Sequence, residues 1–158
     1  LNWSCSEPLV VNKSKFKGWC IPIQSNNEIE NLLLQLPIID KQLNKASHPF
    51  MLAWKTSQNN NNDIPIPDKK KNKKVKKSQQ TQLDNSYKLN KLINVCQGTN
   101  DNGEGGSGDR ILGLINRLKL VNVLIVVSRW YGGTPLGPTR FKCISDVALQ
   151  SLQNGGYL

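Results

Sequence analysis

The 158 residues lack any stretch able to cross a membrane as a helix. The longest apolar run is 123–127, far below the roughly 20 residues that a spanning helix needs. The start, Leu1-Asn2-Trp3-Ser4, has no basic segment followed by an apolar one, so no secretory signal is expected. The absent initiator Met suggests a trimmed start. Histidine is nearly missing, with His48 alone, and the four cysteines, Cys5, Cys20, Cys96 and Cys143, form no Cys-x-x-Cys pair. That spacing matches neither a dense disulfide framework nor a metal cluster. Reduced thiols packed as small hydrophobes, and hence a cytoplasmic protein, are expected. No metal and no cofactor is expected.

What is present is charge, unevenly placed. Of the net +10, seven charges come from Lys69, Lys70, Lys71, Lys73, Lys74, Lys76 and Lys77, which leaves only +3 elsewhere. The high pI therefore describes one segment rather than the whole surface. Residues 57–86 hold that segment together with four asparagines, Asn59 to Asn62, and the run Gln79-Gln80-Thr81-Gln82. Such a stretch buries too little apolar surface to offset the entropy of ordering it, and reads as a disordered insertion in a single domain spanning 1–158. Its lysines are expected to touch polyanions, or to act as a nuclear localisation signal.

The flanking sequence carries regular periodicities. A strand is expected over 16–23, and Ser25 with Glu28 three residues on forms a capping box. Ile29, Leu32, Leu33 and Leu36 then recur at helical spacing, until Pro37 ends or kinks the helix. Over 48–55 the pattern alternates, with His48, Phe50, Leu52 and Trp54 on one face and Met51 and Ala53 on the other. A further strand is expected over 92–97, flanked by Gly98. Ser107 is placed to cap a helix whose Ile111, Leu112, Ile115 and Leu118 share a stripe. Residues 122–128 read as a central strand buried on both faces. Pro138 opens a last helix with Phe141, Ile144, Ala148 and Leu152 inward, and Gly155 ends it. The order β-α-β-β-α-β-α, with helices stacked on one face of a sheet, makes an α+β two-layer sandwich.

Two glycine-bearing motifs stand out. Gly103-Glu104-Gly105-Gly106-Ser107-Gly108 matches G-x-G-x-x-G before a helix. The preceding strand ends too early, however, and the next strand lacks the ribose-binding acid of a dinucleotide site. Asp109-Arg110 stands where a phosphate-binding loop needs Lys and Ser/Thr, and Asp101, Glu104 and Asp109 repel phosphate. Backbone N–H groups near 107–110 are still placed to attract an anion weakly. The second motif, Arg129-Trp130-Tyr131-Gly132-Gly133, leaves the C-terminal end of the central strand, where α/β proteins place ligands, and is built of hot-spot residue types. A helix of about 12 residues and a strand of about 7 nearly cancel in length, roughly 18 against 23 Å. Arg129 should therefore return to Asp101 or Glu104, so that loop and turn form one binding surface. The plainer reading is that Trp130 and Tyr131 cover the sheet edge while Arg129 pairs with a carboxylate. For His48 a structural hydrogen bond outweighs a general base, because no nucleophile stands beside it in sequence.

The run 101–110, the run 122–133 and Leu136-Gly137-Pro138-Thr139-Arg140-Phe141 together resemble the IMPACT family, which includes bacterial YigZ-like proteins. Ser14-Lys15-Phe16 and Ala46-Ser47-His48 fit as well, and Ser-Arg-Trp-Tyr-Gly-Gly is nearer the eukaryotic branch. Asn102 stands where the family pattern carries a second aspartate. The resemblance implies a fold like the second domain of ribosomal protein S5. The expected binding surface is drawn from Asp101, Gly103, Glu104, Gly105, Gly106, Ser107, Arg110, Arg129, Trp130, Tyr131, Gly132, Gly133, Arg140 and His48. The resemblance also implies a non-enzymatic regulator of translation or of the amino-acid starvation response, acting through a protein of the translation-control machinery or through ribosome and RNA contacts. Eukaryotic relatives often carry an RWD-type domain implicated in binding the activator of the starvation-responsive initiation-factor kinase, and these 158 residues hold none. The alternatives are a direct RNA binder driven by the lysine-rich insert, and an enzyme using the glycine loop.

Overall fold

The structure, a computed structural model, describes residues 2–58 and 92–158. The lysine cluster 69–77 and nearly all of the expected insertion 57–86 lie outside the described residues. The central strand is the β-branched run anticipated from sequence, here β6 (Val123–Trp130). It is flanked by β3 (Ser14–Pro22) and β4 (His48–Thr56), both antiparallel to it. β1 (Ser4–Cys5) and β2 (Leu9–Val11) both pair with β3, and β5 (Cys96–Asn100) forms the other edge, beside β4.

Alternate residues of β6 serve two separate cores. Val123, Ile125 and Val127 pack with Met51 and Ala53 of β4 beneath two helices, α2 (Ser107–Arg117) and α3 (Thr139–Asn154). Leu124 and Val126 pack with Trp19, Ile21 and Leu52 beneath α1 (Ile29–Ile39), through Leu32 and Leu36. The α+β class and the layer of α2 and α3 on the sheet are as expected. The helices do not all share one face: α1 and the 3-10 turn Lys41–Lys45 cover the opposite one. A run apolar at every position over 123–127 requires cover on both sides, and α1 supplies the second.

Four further departures from the sequence reading have local causes. β1 and β2 are too short to carry a periodic signal; β2 and β3 form a hairpin over Asn12 and Lys13, both at positive φ as a type I′ turn requires. The Ser25 capping box forms, but it opens the 3-10 turn Asn26–Glu28 that leads into α1, which runs through Pro37 to Ile39. β5 begins at Cys96, later than expected, and includes Gly98. A Cβ there would meet the Trp54 indole at 2.8 Å, so the ring lies flat over the strand in place of a side chain. Finally, the β4–β6 register shifts by one between His48 and Met51. This bulge turns His48 away from the Phe50, Leu52 and Trp54 face predicted for it and sets it opposite Arg129.

Candidate functional site: a buried carboxylate between two arginines

Tight backbone turns build the glycine loop. Asn102, Gly103 and Gly106 have positive φ, and the Glu104 and Ser107 amides donate to the Asp101 and Glu104 carbonyls. The start of α2 is capped by Asp101, whose carboxylate accepts from the Gly106 and Gly108 amides at 3.1 and 2.8 Å. Ser107 is therefore not the N-cap. It is buried as the first helical residue and donates its hydroxyl to the Asp101 carbonyl. The expected anion position near 107–110 is thus already filled from within the chain.

This turn drives Glu104 inward, where its side chain is 2% exposed. Oε1 accepts from Arg129 Nη1 at 2.6 Å and from Arg140 Nη1 at 2.9 Å. Oε2 faces His48 Nε2 at 3.4 Å, an ion-pair distance without hydrogen-bond geometry. His48 Nδ1 lies 2.8 Å from the Asn102 carbonyl. A carbonyl only accepts, so Nδ1 carries the proton there. One carboxylate thus sits against two guanidiniums, and the centre keeps a net positive charge. Such a group is tolerable when buried only because it is paired on several sides.

Arg129 is itself buried. It stacks over Phe16, 5.2 Å from the ring, and its Nη2 donates to the Ser14 hydroxyl at 3.3 Å. The same hydroxyl accepts the Gly132 amide at 3.0 Å. Any side chain on Gly132 would strike the Lys13 backbone at 2.2 Å, which explains a glycine at this place. Ser47 accepts the Tyr131 amide at 2.8 Å, and the Tyr131 ring, 49% exposed, stands 5.4 Å from the Arg129 guanidinium. An aromatic ring thereby stands exposed at the surface beside a buried guanidinium. Gly105 and Gly133 form the open rim, and Arg140 Nη2 reaches the Gly105 carbonyl at 3.4 Å.

The loop and the strand-end turn meet as the chain lengths required, with Glu104 as the partner of Arg129. Two of the proposed surface residues lie elsewhere. Trp130, one residue further along the strand, points to the α1 side; its Nε1 donates to the Gln42 carbonyl and Lys15 lies over its ring at 4.1 Å. Arg110 lies on the outer side of α2, bonded to Ser145 of α3 at 2.9 Å. Sequence reasoning missed Ser14 and Ser47 as site residues, because single serines carry no periodic signal. Asn102, at the position of the family's second aspartate, accepts the Phe50 amide through Oδ1 at 2.9 Å, which needs no negative charge.

Fold and site together define an antiparallel α+β domain in which a glycine loop and a strand end close over one carboxylate. The chain belongs to the family described as Impact N-terminal domain, whose model matches residues 12–152. It is 42% identical to an IMPACT family member of Saccharomyces cerevisiae, over 99% of this chain and 93% of that protein. It is 26% identical to the protein IMPACT homolog of the same yeast, covering 98% of this chain but 47% of the relative. The solved structure of the two-domain translational regulator Yih1 superposes with a TM-score of 0.50 at 27% identity, over 97% of this chain and 46% of that one. The chain therefore spans about half the length of these two larger relatives.

Proposed function

We propose that this domain is a non-enzymatic binding module that regulates translation, and that it engages a protein of the translation-control machinery through the rim above Glu104. The observation that carries the reading is the buried centre itself. Glu104, Arg129, Arg140 and His48 are paired with one another and with the loop. Glu104 Oε2 and the two arginine Nε atoms are left without a hydrogen bond among the described residues. The arrangement suits a structural base more than a catalytic group awaiting substrate. Above them stands an exposed tyrosine whose amide is bonded to Ser47 and whose ring lies near Arg129, the pattern of an interface anchor. The translational role is supported by membership of the IMPACT family and by the Yih1 likeness.

The test is an affinity purification from lysate, with and without nuclease, comparing the native chain with Tyr131→Ala. Nuclease-resistant recovery of translation factors, lost in Tyr131→Ala, supports the reading. Recovery that vanishes with nuclease moves the contact to RNA. Recovery unchanged by Tyr131→Ala removes the rim from the interface.

A further inference from the structure

We propose a second binding site, on the outer side of the α2–α3 layer, that takes an acidic peptide segment with two apolar residues between two carboxylates. Residues Gly106, Asp109, Arg110, Gly113, Arg117 and Phe141 line a groove of about 400 Å³ there. Arg110, Gly113 and Arg117 follow the three-and-four spacing of one helix face. Nothing in the fold explains the glycine. It lies in mid-helix, where glycine is among the poorest formers, its φ is not positive, and a Cβ would meet nothing within 4 Å. The notch it leaves exposes the helix backbone between two arginines, with the half-buried Phe141 ring across the groove.

The charges are available. Arg110 uses its Nε on Ser145 and leaves its terminal nitrogens uncommitted, while Arg117 has no hydrogen bond or ion pair with any described residue. Seven residues of helix separate the two arginines by about 10 Å along the axis. Three residues of peptide in the polyproline II conformation cover about 9 Å and return to the same face, which a β strand would not do. A Glu-x-x-Glu segment therefore brings one carboxylate to each guanidinium, with its middle residues over the notch and the ring. Asp109 shares the groove and selects against a polynucleotide, which carries phosphate at every step, whereas a peptide can set a neutral residue beside it. Arg110 and Arg117 against the single Asp109 leave the groove itself net positive, which suits an acidic partner. This site stands apart from the Glu104 rim and does not depend on the reading given for it.

The experiment uses the full chain and a labelled peptide, acetyl-Ser-Glu-Leu-Leu-Glu-Ser, followed by fluorescence anisotropy and by amide shifts of Gly106 and Gly113. The native chain should bind saturably and shift both amides. Arg117→Glu should weaken binding at least tenfold. Gly113→Leu should do the same while leaving the melting temperature equal or higher, since leucine is the better helix former, so lost binding cannot be assigned to misfolding. Absence of native binding overturns the site, as does binding undiminished in both variants. A 12-mer of oligouridylate that shifts the two amides when the peptide does not would overturn it in favour of nucleic acid.

Discussion

The two faces of β6 come from one run of sequence and end differently. Toward α2 and α3 the strand presents Val123, Ile125 and Val127 and then Arg129, and this face closes on a buried ion pair. Toward α1 it presents Leu124 and Val126 and then Trp130, and this face closes on an indole hydrogen-bonded to a carbonyl. The cover differs too. The α2–α3 layer joins two helices that also pack on each other, whereas α1 leaves Leu34, Ile38 and Ile39 open to solvent. A charge can be buried only where the surrounding layer supplies several partners, and here the α2–α3 side has the loop that does so.

Removing one member of the ion pair should give the largest effect. Arg129→Ala strands Glu104 with the more exposed Arg140, and should cost about 3–5 kcal/mol in urea unfolding at neutral pH. A loss under about 1 kcal/mol would mean that the centre is not closed and that the contrast between the faces is false. On the other face, Leu36→Ala removes a fully buried side chain beneath α1 and should cost about 2–4 kcal/mol. An effect near zero would show that α1 lies loosely on the sheet.

How much of this was legible in the sequence follows from the range of each interaction. Periodicity located β3, α1, β4, α2, β6 and α3 because each repeats its signal over several turns or pleats. Chain length alone brought Arg129 back to the glycine loop. The bulge at His48 was invisible, because one inserted residue reverses the face of every residue beyond it without altering composition. The capping of α2 was assigned to Ser107 by position, while the structure uses Asp101, five residues before Gly106. A carboxylate reaching across a glycine turn accepts two amides where a local hydroxyl accepts one. The second cover by α1 was implied by the two-sided apolar run but needs tertiary contacts to be seen.

The α2–α3 face also holds groups that should respond to alkali: Cys143, raised by burial, and the more strongly shifted Cys20 and Tyr157. Burial pushes the Cys20 thiol up to about 11, against a lowering by the Ser151 side chain and a further rise from Cys5. Burial, then the neighbouring Cys20, pushes the Tyr157 phenol up to about 12. Both groups bind protons more tightly when folded. Their stabilising share is thus whole below pH 9, where the unfolded thiol begins to ionise, and is lost as pH rises through 11 and 12. The unfolding free energy from urea titration should fall above pH 9, by about 2 kcal/mol at pH 11 from Cys20 alone. Tyr157→Phe should flatten the upper part of that slope, and an unaltered slope would remove Tyr157 as a contributor.

The smallest effect belongs to the open side of α1. Leu34 and Ile38 lie four residues apart on one helical stripe and are 67% and 76% exposed. They bury little on folding, so their replacement removes little apolar contact. Leu34→Glu with Ile38→Lys adds an acid four residues before a base, the favourable order on a helix surface. The two changes together should shift stability by no more than about 0.5 kcal/mol. They should also leave the Glu104 centre intact, because α1 covers the Leu124 face and the centre closes the other. The readouts are the urea midpoint and the Tyr131 and His48 amide shifts. A loss of about 2 kcal/mol would mean that these side chains are covered in solution. A movement of the His48 signal would mean that the two faces of β6 are coupled through the strand, and the separation drawn between them would fail.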